Sequence, residues 1–130
     1  MISRRVVLAG MAAAALLTYG GAFAAEEQPF SPELFQVAKD QHKPILIEIY
    51  ASWCPTCQAQ KPILSDLLAK PRFKDLTVLR VDFDSQKSAV RNFRASVQST
   101  LIVFKAGEEV GRSVGQTKAD AIAALLDKAI

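Results

Sequence analysis

Ile45-Leu46-Ile47-Glu48-Ile49-Tyr50-Ala51-Ser52-Trp53-Cys54-Pro55-Thr56-Cys57 holds both the centre of the fold and its chemistry. Ile45 to Tyr50 is a nearly continuous apolar, β-branched run, the pattern of a central strand buried on both faces. Two cysteines spaced C-x-x-C follow at once, and helix-like sequence follows them. They are the only cysteines in the chain. A lone pair so spaced at a strand-to-helix junction reads as a redox dithiol. A cysteine at a helix N-terminus faces unpaired backbone N–H groups and the positive end of the helix dipole. Both favour thiolate over thiol, and thiolate is the nucleophile in disulfide exchange. The second cysteine, one turn on, can then resolve the mixed disulfide.

Outward from this junction the chain alternates helix and strand. Upstream, Ser31-Pro32-Glu33 opens a helix with an N-cap serine, a proline at the first helical position and an acid in the first turn. Leu34, Phe35 and Ala38 give it an apolar face, and Lys43-Pro44 ends it. Downstream, residues 58–68 read as a helix with Ile63, Leu64, Leu67 and Leu68 on one side and Pro62 inside. Residues 76–83 read as a strand, 85–93 as a short helix and 100–104 as another strand. Ala106-Gly107 turns the last into a hairpin partner at 109–114, which Gly115 ends. Thr117-Lys118-Ala119-Asp120 resembles a capping box for a final helix, where Ile122, Leu125, Leu126 and Ile130 recur at helical spacing. Helix-linked strands predict parallel pairing for the first three, and the hairpin adds an antiparallel edge. The expected class is therefore α/β: a central mixed sheet flanked by helices.

The chain has 130 residues, enough for one domain with a real core. Its beginning has a different character. Ser3-Arg4-Arg5 precedes residues 6–25, which carry no charge, and Ala22-Phe23-Ala24 is a small-x-small site. A basic start, an apolar stretch and such a site predict a secretory signal peptide over residues 1–24, cut after Ala24, with the functional domain at 25–130. An uncleaved membrane anchor is the alternative, since 20 uncharged residues can just span a bilayer. Arg4-Arg5 also resembles a twin-arginine signal, although Val7 and Ala9 depart from its usual pattern, so the Sec and twin-arginine routes both stay open. Removing residues 1–24 leaves 14 basic against 13 acidic side chains. No basic block remains, so nucleic-acid binding has no support. Export predicts a periplasmic location, where disulfides persist.

With Trp53-Cys54-Pro55-Thr56-Cys57 on this element order, the chain resembles the thioredoxin family over essentially all of residues 25–130. Pro62 stands where thioredoxins carry a helix-kinking proline. Phe104-Lys105-Ala106-Gly107-Glu108 matches their strand-turn Phe-Lys-x-Gly-Glu, and Gly115 their glycine after the last strand. The resemblance implies a thioredoxin fold and a protein-disulfide oxidoreductase. In it Cys54 is the exposed nucleophile, Cys57 the more buried resolving thiol, and no organic cofactor or metal is required. It also implies protein thiol or disulfide substrates, a membrane carrier as electron donor, and a monomer. Trp53, Pro55, Thr56, Gln98, Ser99 and Thr100 would border the substrate, bound as an extended peptide along 98–100.

Two positions depart from the family. Glu48 replaces a buried aspartate, and a carboxyl flanked by Ile47 and Ile49 should have a raised pKa, suited to proton exchange with Cys57. Arg80 aligns with a family lysine near that acid. Ser99 replaces the cis-proline. A non-proline cis bond costs about 2.5–4 kcal/mol, so a trans bond is expected there, with the hydroxyl free to meet a cysteine sulfur or substrate backbone. Without the ring, the dithiol could instead serve as a ligand pair for a soft metal or a partner, although two thiols fall short of a four-ligand site. That binding module is the rival to the enzyme. Redox direction is open: the family and the buried acid favour reduction, while Pro55-Thr56 is closer to glutaredoxins and oxidising proteins. His42, Arg91 and Arg94 read as solvated, and Asp82 and Asp84 as turn-forming.

Overall fold

The computed structural model describes residues 24–130. The expected signal peptide therefore lies, apart from Ala24, outside the described residues. In chain order the elements are β1 (Glu27–Pro29), α1 (Pro32–Asp40), β2 (Ile45–Tyr50), α2 (Pro55–Leu68), β3 (Thr77–Asp82), α3 (Lys87–Asn92), β4 (Thr100–Lys105), β5 (Glu108–Val114) and α4 (Ala119–Asp127), with a 3-10 turn at Pro71–Phe73. The strands form one sheet in the order β1-β3-β2-β4-β5. This is the expected mixed sheet flanked by helices.

Side-chain alternation along the strands sorts the core into two layers. On one face, Leu46, Val78, Leu101 and Val103 pack against Leu64, Leu67 and Leu68 of α2 and Ile122, Leu125 and Leu126 of α4. On the other, Ile45, Ile47, Ile49, Leu79, Val81 and Ile102 meet Ala38 of α1 and Ala89 and Val90 of α3. Central strand β2 is buried on both faces, as its unbroken apolar run requires.

Local signals place the start of α1 but not of the later helices. Ser31 caps α1, its Oγ accepting the Leu34 amide at 3.1 Å. Of the face predicted for α1, Ala38 is buried and Phe35 half-buried, but Leu34 is 40% exposed. Helix α2 starts at Pro55, ahead of the apolar spacing that predicts a start at Gln58, because Cys54 itself is the N-cap. Ala106 and Gly107 turn the β4–β5 hairpin with φ of 51° and 81°, the left-handed pair that a two-residue hairpin loop demands.

Three expectations are corrected. Strand β4 runs antiparallel to β2, not parallel. Helix α2, at 14 residues, rises about 21 Å and carries the chain back to the start of the sheet, so β3 is parallel to β2. Helix α3 has six residues and rises only about 9 Å. The chain thus stays at the C-terminal end of β2, and Thr100 enters opposite Ile49. The second correction is β1, a three-residue exposed strand parallel to β3, too short for any periodicity to announce it. Its terminal proline suits a sheet edge. The third is the last helix. Its N-cap is Lys118, without a side-chain cap bond, and the amides of Thr117 and Lys118 donate instead to Gln116 Oε1.

Candidate active site

The cysteines sit where β2 hands over to α2. Cys54 caps the helix, and the Cys57 amide donates to Cys54 Sγ at 3.1 Å. A sulfur in this place faces the helix's unpaired donors, as the spacing requires. Both thiols are free. Exposure does not tell them apart. Cys54 is 1% exposed, like Cys57, which corrects the expectation of an exposed nucleophile. Both sulfurs pack with Ala51, flanked by Tyr50 and Phe83, whereas the neighbours Ser52, Trp53 and Pro55 are exposed. Burial pushes the Cys57 thiol up to about 11, and a hydrogen bond with Cys54 adds to this, while the Ala51 and Ser99 backbone pulls it part of the way back.

Trp53 stands 57% exposed beside the dithiol, held by a 2.7 Å bond from its indole Nε1 to Asp84 Oδ2. Asp84 is therefore more than the turn residue its sequence reads as. The turn itself is made by Asp82, whose Oδ1 accepts the amides of Asp84 and Ser85. Those donors, Ser85 first, hold its carboxyl below the ordinary range. Thr56 is half-buried in the first turn of α2.

Ser99 lies in the loop that meets α2. The described residues contain no cis peptide bond, and Ser99 adopts a left-handed φ of 63°. Its amide donates to Ile49 O at 2.7 Å, and its carbonyl accepts from Gly115 N at 3.0 Å and Gln60 Nε2 at 3.2 Å. Its hydroxyl turns to the Gln98 carbonyl. This corrects the expectation that the hydroxyl is free for sulfur or substrate. Thr100 likewise spends its hydroxyl on Val97 O at 2.7 Å. The backbone of Ser99 and Thr100 is already paired with the sheet and its flanking loops, so of the three expected docking residues only half-buried Gln98 lies outside this pairing.

Glu48 is 1% exposed and projects from β2 on the same side as Leu46, the side α2 covers. Its Oε1 meets Arg80 Nη2 at 3.3 Å, and its Oε2 has no hydrogen-bond partner. Burial pushes the carboxyl up to about 8; the neighbouring Glu27 carboxylate adds to the rise, and Arg80 opposes it without prevailing. Arg80, which the family resemblance puts near Glu48, also lies 3.9 Å over the Tyr50 ring.

Residues unseen from sequence complete the site. Gln60 is fully buried and clamps two loops through Nε2, at 3.2 Å to Ser99 O and 3.0 Å to Gln116 O. Its only sequence signal is a polar residue at a position three after Cys57, on a helix face that turns inward. Glu27 and Asp84 gave none, because each acts across long sequence distance. Among the described residues no group of three or more His, Cys, Asp or Glu side chains is placed to hold a metal ion. His42 is exposed.

The Thioredoxin family model matches residues 25–128. The thioredoxin of Mycobacterium tuberculosis (strain ATCC 25618 / H37Rv) is 41% identical over 74 residues, covering 57% of this chain and 63% of the mycobacterial one. The chain thus spans less than two thirds of that relative's length. The thioredoxin of Chlamydia trachomatis serovar D is 38% identical over 84 residues, 65% of this chain and 80% of its own. Among solved structures, Trxlp from Edwardsiella tarda EIB202 superposes with a TM-score of 0.76 at 42% identity, covering 78% of this chain and 98% of Trxlp. A mutant thioredoxin from Halobacterium salinarum NRC-1 gives 0.70 at 28% identity, covering 85% of this chain and 96% of its own.

Proposed function

This chain belongs to the thioredoxin family, and from that premise we propose that it is an exported thiol–disulfide oxidoreductase that reduces protein disulfides. The observation that carries this reading is Cys54 as the N-cap of α2, with the Cys57 amide aimed at its sulfur. In the proposed cycle Cys54 thiolate attacks one sulfur of a substrate disulfide. That bond breaks, a mixed disulfide forms on Cys54, and the first substrate thiolate leaves and takes up a proton. Cys57 then loses its proton and attacks Cys54 Sγ. The second substrate thiol departs, and two electrons have passed from the dithiol to the substrate. A membrane electron carrier restores the dithiol.

A buried Cys57 holds its proton tightly, so its attack needs a base. Glu48 fills that role: a carboxyl near 8 exchanges protons readily at neutral pH. Substrate docks beside exposed Trp53 and Pro55 and against the Gln98 end of the loop. Ser99 and Thr100 shape that end from inside rather than by pairing with the peptide. The periplasm is the proposed compartment, supported by Arg4-Arg5, the uncharged stretch after them and the Ala22-Phe23-Ala24 site.

Turnover of a model protein disulfide with dithiothreitol tests the activity. The protein is expected to accelerate it and Cys54→Ser to abolish that; activity persisting in Cys54→Ser would reject the mechanism. The reduction potential of the pair decides direction. A value near those of cytosolic thioredoxins, about −270 mV, supports a reductase, and one near −120 mV an oxidant.

A further inference from the structure

Glu48 does not stand alone on its face of the sheet. One nitrogen of Arg80, Nη2, contacts both oxygens of Glu27, at 2.8 and 3.0 Å, and Glu48 Oε1 at 3.3 Å. Two carboxyl groups therefore converge on a single cationic atom, which lies nearer Glu27. Side-chain exposure falls along the series, from 31% at Glu27 to 24% at Arg80 and 1% at Glu48. The three residues line a cavity of about 420 Å³ between the sheet and α2, to which the helix contributes Lys61 and Ser65. Glu48 Oε2 is buried and unpartnered. From β4 the residue opposite Glu48 is Leu101, which carries no charge, and along β2 the nearest polar side chain on its face is Tyr50. The charged groups that face Glu48 are thus Glu27, Arg80 and Lys61.

We propose that Glu27 is a positioning residue for Glu48: it occupies Arg80, so that less of that cation's charge reaches the inner carboxyl, and it passes the proton that this carboxyl takes up to and from the cavity the two acids line. Two carboxylates share one guanidinium, and Lys61, which lines the same cavity, forms no ion pair with either, so the two acids repel each other at close range and the pair favours sharing one proton. Arg80 is gripped by both oxygens of Glu27 and has only one longer contact to spare for Glu48. The inference deepens the proposed relay and names its outer station.

The test is a pH titration of the Glu48 side-chain carboxyl by carbon NMR in ¹³C-glutamate-labelled protein. Glu27→Gln removes the outer charge but keeps the size, and frees Arg80 for Glu48. Its Glu48 midpoint is expected to fall so that proton affinity drops about tenfold or more, the size typical of one close charge. Glu27→Asp keeps the charge but shortens the reach, and is expected to give a smaller fall in the same direction. It also guards against misfolding of the first variant. An unchanged or raised midpoint in both variants would overturn the inference and leave Glu27 as a surface partner of Arg80. The titration uses no substrate. A protein that showed the shift yet failed to exchange disulfides would keep this coupling and lose the proposed function.

Discussion

At the scale of single residues, Ser99 shows how a family position can change its physics. A left-handed φ is unfavourable for a residue with a Cβ, by roughly 1–2 kcal/mol, and persists only where the surroundings hold it. Here three bonds do so: to Ile49 O, from Gly115 N and from Gln60 Nε2. Proline would fix φ near −65° and remove the donor that reaches Ile49. The family's usual residue is therefore expected to be harmful in this chain. Ser99→Pro should lower stability by more than about 1 kcal/mol in urea unfolding; a midpoint equal to wild type would show that the loop does not depend on this geometry. The sequence shows that Ser99 is not a proline. It does not show where the hydroxyl turns, because the Gln98 carbonyl it meets becomes available only once φ is positive. Glu48 was legible for the opposite reason: burial follows from the apolar run around it, and burial dominates its titration.

At the scale of elements, the strongest local signals gave the helices and strands, and the weakest gave their ends and directions. The serine and proline at the start of α1 act in the way their chemistry requires. Thr117 and Asp120 do not, because the helix begins one residue later, with Lys118 as its N-cap, and the Thr117 amide that Asp120 would accept donates to Gln116 Oε1 instead. Lys118 is left as an N-cap with extended backbone, φ −93° and ψ 123°, and no side-chain acceptor. Lys118→Asp supplies that acceptor and places a negative charge at the helix's positive end. It should raise stability by about 0.5–1 kcal/mol, read as a higher thermal midpoint; no gain would show that the first-turn amides of α4 are already satisfied by solvent. The direction of β4 escaped sequence reading because it depends on how far α3 travels, a length that its weak apolar pattern overstates. Strand β1 escaped because three exposed residues carry no period.

At the scale of the whole molecule, the buried acid couples protonation to folding. Glu48 rises from 4.5 to about 8 on folding. Below pH about 4.5 the folded and unfolded chains both hold this proton, and the group's contribution to stability is fully present. Above that the unfolded chain releases the proton while the fold retains it, so stability falls until pH passes about 8. Each pH unit in this window costs on the order of 1.4 kcal/mol from this group. Wild-type protein should thus lose stability between about pH 5 and 8 more steeply than Glu48→Gln, in urea unfolding followed at several pH values. Parallel profiles would mean that Glu48 ionises in the fold without penalty. The mixed sheet flanked by helices was legible, because β2 announces its burial and the helices their apolar faces; the strand order was not, because it turns on β1 and on the direction of β4. The site was legible only in part. Its sulfur chemistry is written in adjacent residues, while Glu27, Gln60 and Asp84 join it from far along the chain, across separations that only the fold closes.

Disulfide exchange through Cys54 is tested most directly by trapping. Cys57→Ser protein, incubated with a protein disulfide, should accumulate a covalent adduct that mass spectrometry maps to Cys54 and dithiothreitol releases, whereas Cys54→Ser should accumulate none. An adduct on Cys57 in the Cys54→Ser protein, with none on Cys54 in the other, would contradict the account.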